Sequence, residues 1–137
     1  MTEDERVALD AFRAGTLPTS AFHHADHVRM AWVYVHEYGL EAAARNFVDD
    51  LKRFAVAKGV PGLYHATITQ AYLSILTERI ATTPTPAWSA FVAAHPDLLQ
   101  WKPGVLDGYY SPERLWCDAA RAGFLLPDRV PAAAPRG

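Results

Sequence analysis

FHHADHVRMAWVYVHEY, residues 22–38, is the stretch whose reading decides the fold. Val28, Ala31, Trp32 and Val35 recur at i, i+3, i+4 and i+7. His24, His27, Ala31, Tyr34 and Tyr38 form the stripe beside them. Two adjoining apolar stripes leave little face for water, so this helix belongs at the centre of a bundle and not on its surface. Its start is legible: with His23 as N-cap, Asp26 falls at N3, where its carboxylate can accept from the cap's own backbone amide. An N-cap at Ser20 is the rival placement and would leave Asp26 too deep to cap. Gly39 is the natural C-terminal stop.

The flanking sequence supplies the partners. Residues 3–14 read as a short first helix with Val7 and Phe12 on its apolar face, ended by Gly15 and Pro18. Glu41 to Lys58 reads as a third, amphipathic helix, with Ala44, Phe47, Val48, Leu51, Phe54 and Ala55 facing inward. After the Gly59–Gly62 turn, a fourth helix is expected from about Tyr64 to Ala81, burying Ile68, Ala71, Tyr72, Ile75 and Leu76. Pro84 and Pro86 break the chain. A short fifth helix follows at Trp88–Val92, then a turn for which Asp97 is a candidate cap, then the aromatic-rich loop 101–110. Ser111-Pro112 has the form of an N-cap followed by proline at N1, opening a last helix that runs to Gly123. No strand alternation or internal repeat is present. The expected fold is therefore all-α: a single-domain bundle of five to six helices over 1–127, with a disordered Pro/Ala-rich tail at 128–137.

Composition narrows the function classes. The chain has 137 residues, is 50% hydrophobic and carries a formal net charge of −2, which suits a soluble domain and gives no basic surplus for holding phosphates. Neither a nucleic acid nor a membrane is expected as partner, and the acidic N-terminus MTEDERVALD points to the cytoplasm. One cysteine, Cys117, precludes an intrachain disulfide and a cysteine-rich zinc site, and is read as a small buried apolar residue.

Histidine is the chemistry that stands out. His24 and His27 are three apart on one helix face, so both imidazoles can reach one ion. His65, at the start of the fourth helix, is the candidate third ligand. Three histidines with an open position suit zinc, and imidazole also suits copper, iron and nickel. The metal-free reading uses the same groups. His27 or His65 acts as general acid or base near Asp26, Tyr64 or Thr69. Arg29 holds a carboxylate, and Tyr34, Tyr72, Tyr109 and Tyr110 line an aromatic pocket. A di-iron carboxylate centre is ruled out: the residues three after Glu37, Glu41, Glu78 and Glu113 are Leu40, Ala44, Ala81 and Trp116, none of them histidine.

FHHADHVRMAW, LYHATIT, GYYSPERL and LLPD together resemble a family of small bacterial all-α proteins of uncharacterised activity, over Phe12 to Asp128. The family pattern of His-x-x-His, an aliphatic residue and often arginine matches His24, His27, Val28 and Arg29. Its Tyr-His-x-Thr-x-Thr matches Tyr64, His65, Thr67 and Thr69. Ala66 stands where similar sequences often have glutamate. The resemblance implies a fold and a shared site, not a reaction.

The leading expectation is a small helical enzyme with its histidine-centred site between the second and fourth helices. It acts on a small-molecule ligand and binds one transition metal ion or none. The alternative is a non-catalytic module that binds a small molecule or a partner in the same cavity. The third reading is a structural bundle whose histidines satisfy one another. A homodimer is left open.

Overall fold

The computed structural model describes residues 1–85, 87–101 and 103–130. Pro86 and the greater part of the expected tail, 131–137, lie outside the described residues. Helix α1 (Glu3–Ala14) opens on a reciprocal cap: the Glu5 amide donates to Thr2 Oγ1 (3.1 Å) and the Thr2 amide to Glu5 Oε1 (2.9 Å). It closes on Gly15 at φ 73°, a left-handed conformation that glycine adopts without the steric cost of a Cβ.

Helix α2 (His24–Ala57) carries both the second and the third predicted helices. They join without a loop at Gly39, whose φ 82° and ψ 167° belong to a region that is essentially glycine's alone. The joint is a reversal, not a gentle bend. In a straight helix Tyr34 and Phe47 would be about 20 Å apart, yet their ring centroids are 5.1 Å apart. Arm 24–38 and arm 40–57 therefore fold back on each other as a helical hairpin. Phe12 of α1 fills the fork, 5.9 Å from Phe47, 5.1 Å from Phe54 and edge-on to Tyr34 at 6.3 Å. In arm 24–38 Met30 through Val35 are buried without interruption, as a helix at the centre of a bundle requires.

Helix α3 (Ala66–Thr82) packs chiefly on α2. Of the face expected to be buried, Ala71, Tyr72 and Leu76 are buried and Ile68 and Ile75 only in part. Thr69 and Leu73 are buried as well. Helix α4 (Trp88–Ala94) lays Trp88 and Phe91 against Trp32 at 5.6 and 6.0 Å. Asp97 does not cap the turn that follows. Its carboxylate takes a two-point grip on the Arg79 guanidinium (3.0 and 2.8 Å), a geometry that suits arginine's planar fork better than any backbone amide would.

The last predicted helix is broken in two, α5 (Pro112–Leu115) and α6 (Asp118–Ala122). Cys117, with extended backbone, is the joint, and its thiol donates to the Arg114 carbonyl (3.1 Å). The tail also starts later than residue 128. The Asp128 carboxylate accepts from the Ser111 amide (2.8 Å) and hydroxyl (2.6 Å), and the Arg129 amide donates to the Tyr109 carbonyl (2.9 Å). These two residues belong to the body. Among the described residues there is no strand, only an isolated bridge between Trp101 and Gly104. No described helix is long and apolar enough to cross a membrane.

Candidate functional site

One cavity of about 470 Å³ opens between arm 24–38 and α3. The three candidate histidines line it, together with Phe22, Phe47, Ile68, Thr69, Tyr72, Trp101, Trp116 and Arg121. The volume is within the range of roughly 300–1,000 Å³ usual for small-molecule sites. No carboxylate is among the described lining residues.

The cavity's histidines are placed by the two helix starts. His23 is the N-cap of α2, and its amide donates to Asp26 Oδ2 (3.0 Å), as the spacing predicts. That cap puts His24 and His27 in the first turns of α2. His24 Nε2 donates to the Leu98 carbonyl (3.0 Å), while its ring lies 5.1 Å from Trp101 and 5.6 Å from Tyr72. Burial holds its pKa below the ordinary value, against the opposing pull of the Leu98 carbonyl.

His65 has a different role from the one its sequence position suggests. It is the N-cap of α3, not a residue inside it. Nδ1 accepts from the Ile68 amide (3.1 Å) and Nε2 donates to the Leu115 carbonyl (2.7 Å). The break between α5 and α6 presents that carbonyl. Both ring nitrogens are thus engaged and the tautomer is fixed. Burial first, then the charge of Arg121, push the pKa of His65 down, while the Leu115 carbonyl resists.

His27 is the exception among the three. Its ring packs on Phe22 (4.6 Å) and Phe47 (5.9 Å), and no described residue hydrogen-bonds either of its nitrogens. Burial, reinforced by neighbouring His24, pushes its pKa down to about 4, so the ring is neutral at physiological pH. What surface it exposes faces the cavity.

The other sequence-derived candidates divide. Thr69 and Tyr72 line the cavity. The Tyr72 pKa is pushed up to about 12 by burial and by the Asp107 and Asp97 charges. Arg29, expected to hold substrate, faces away, and its Nε is 3.1 Å from Glu5 Oε2. Glu5 is a buried carboxylate on α1 and needs a cationic partner there. Tyr34 is fully buried in the α2 fork, donating to Asp50 Oδ2 (2.6 Å), with Arg13 and Arg53 also on that carboxylate. Tyr110 donates to the Leu125 carbonyl (2.6 Å), and Tyr64 lies under the Lys52 ammonium at 4.9 Å. Neither lines the cavity.

No family model, no curated protein and no solved structure matches this chain.

Among the described residues no group of three or more histidine, cysteine, aspartate or glutamate side chains is arranged to hold a metal ion. Sequence reasoning passed over Trp116 and Arg121. Both come from the segment read as one continuous helix; Trp116 lies in its break and Arg121 on α6. The aromatic load of the 101–110 loop was a usable signal for Trp101.

Proposed function

We propose that the chain is a small helical enzyme that binds a small organic molecule in the cavity between arm 24–38 and α3. His27 accepts or returns the proton of the reaction. The observation that carries this reading is the uneven use of the imidazoles. His65 has both nitrogens engaged and His24 has one, whereas those of His27 have no described partner. A neutral imidazole in an apolar pocket is a proton acceptor whose strength the ligand itself sets. Any negative charge brought beside it stabilises the imidazolium and raises its pKa toward the range where general-base catalysis works best. Thr69 and Tyr72 supply hydroxyls on the α3 side for orientation.

A metal variant, with zinc, copper or iron on His24, His27 and His65, requires His65 to free one ring nitrogen, Nδ1 from the Ile68 amide or Nε2 from the Leu115 carbonyl. A backbone group left buried without a partner costs about 1–3 kcal/mol. The metal-free variant is therefore preferred. Anaerobic loading with zinc, copper, iron and nickel separates the two. One retained equivalent that is lost on His24→Ala with His27→Ala would restore the metal variant.

The test of catalysis is comparative. Wild type and His27→Asn are incubated with a pool of small organic molecules, and consumption is followed by mass spectrometry, with circular dichroism as the folding control. Consumption by wild type alone is the expected result. A compound that raises Tm in both proteins and is returned unchanged would instead support the non-catalytic binding module.

A further inference from the structure

The cavity's electrostatics point to the class of molecule it takes, an inference that rests on the small-molecule reading above. Among the described residues Arg121 is the one permanently charged group lining the cavity. It is exposed on α6, and its guanidinium lies over the Trp116 ring, 5.5 Å from the centroid. That contact holds the cation at the cavity instead of leaving it to swing in solvent. Its charge disfavours protonation of His65, whose ring lies on the same Trp116 at 5.5 Å.

Five other arginines have a carboxylate, Arg13 and Arg53 on Asp50, Arg29 on Glu5, Arg45 on Glu41 and Arg79 on Asp97, while Arg114 and Arg129 donate to the backbone carbonyls of Leu126 and Asp107. No described carboxylate pairs with Arg121, and none lines the cavity with it. Phe22, Phe47, Trp101 and Trp116 give the cavity flat apolar walls, while Thr69 and Tyr72 are its neutral polar groups. One guanidinium beside neutral imidazoles balances one negative charge. A dianion would leave the second charge uncompensated against an apolar wall.

We infer that the cavity binds a small aromatic carboxylate, with its ring among the cavity's aromatic side chains and its carboxylate on the Arg121 guanidinium. The fork geometry of arginine matches a carboxylate in two parallel hydrogen bonds, which an amide of the same shape does not reproduce.

The test uses matched probes on the full chain: benzoate, 2-naphthoate and indole-3-acetate against benzamide, 2-naphthamide and indole-3-acetamide. Binding is followed through the ring resonances of His27 and His24. In wild type at least one acid should bind more tightly than its amide. Arg121→Ala should weaken that acid about ten- to a hundredfold, the range of a charge-assisted hydrogen bond, and leave the amide unchanged. Arg121→Lys should recover only part of the loss. Arg121 is exposed, so unchanged Tm is expected in both variants, and Arg121→Gln serves as a second neutral variant.

Acid and amide binding equally, or Arg121→Ala and Arg121→Gln leaving acid affinity intact, would overturn the inference while leaving the cavity a small-molecule site. If no probe moves the His27 resonances of wild type, the inference falls, and the small-molecule reading beneath it is decided by the pool experiment.

Discussion

Replacing His65 with alanine tests whether this histidine is a built-in brace or a group held ready for chemistry. The ring makes two hydrogen bonds from a residue that is 5% exposed: Nδ1 with the Ile68 amide at 3.1 Å and Nε2 with the Leu115 carbonyl at 2.7 Å. Loss of an N-cap acceptor costs about 1 kcal/mol. A buried carbonyl left without its donor adds about 1–3 kcal/mol. His65→Ala should therefore destabilise the fold by about 2–4 kcal/mol, before any cavity term. His65→Asn divides the total, because asparagine is a good N-cap but too short to reach Leu115. It should recover about 1 kcal/mol, the capping share. Urea denaturation monitored by circular dichroism measures both variants, provided the m-value is unchanged. A loss below about 0.5 kcal/mol for His65→Ala, inside the range of an ordinary surface substitution, would refute the reasoning. So would an asparagine variant as unstable as the alanine one.

Three further outcomes are expected. Because the pKa of His27 is about 4 when folded against an ordinary 6.5, the unfolded chain takes up this proton first on acidification. Stability contributed by neutral His27 is complete above the ordinary value and declines as pH falls toward 4, so His27→Gln should flatten the pH dependence of the urea midpoint in that window; an unchanged slope would refute the assignment. Arg29→Ala should lower stability by about 1–3 kcal/mol by stranding buried Glu5, and should leave binding of any cavity ligand unaffected. Weakened binding at unchanged Tm would return Arg29 to the site. Gly39→Ala should destabilise by about 1–3 kcal/mol from backbone conformation alone, since an added Cβ meets nothing within 4 Å; a thermal melt like that of wild type would contradict this.

The parts of the fold legible in the sequence are those set by local chemistry. His23 with Asp26, Ser111 with Pro112, and the stop at Gly39 are decided by neighbours within a few residues, and each lies where its spacing puts it. The all-α architecture follows from the same periodicity. Features decided by distant partners were not legible. Glu5 carries nothing in its neighbourhood to mark it for burial, because Arg29 lies on another helix, and for Asp50 the local Arg53 three residues on gives no sign of Tyr34 and Arg13, which reach it from elsewhere in the fold. The break at Trp116 and Cys117 is equally hidden: the local pattern continues a helix, and the carbonyl of Leu115 is claimed by a histidine fifty positions earlier. For the site, His24 and His27 could be paired from their spacing, and His65 joined them in the cavity. Tyr34, Tyr110 and Arg29 could not be sorted from Tyr72, because aromatic and basic side chains look alike until their hydrogen-bond partners are known.

The break between α5 and α6 also bears on when the pocket comes into being. A nascent chain that has reached Thr82 already holds all three histidines and every residue of the α2 hairpin. It has none of Trp101, Trp116 or Arg121, nor the Leu115 carbonyl that fixes the ring of His65. Contacts between α1, α2 and α3 are available early, whereas the cavity gains its full lining only once α6 has been made. Truncations after Thr82 keep all three cavity histidines yet lack those lining residues, so a fragment's helicity says nothing about whether it can bind.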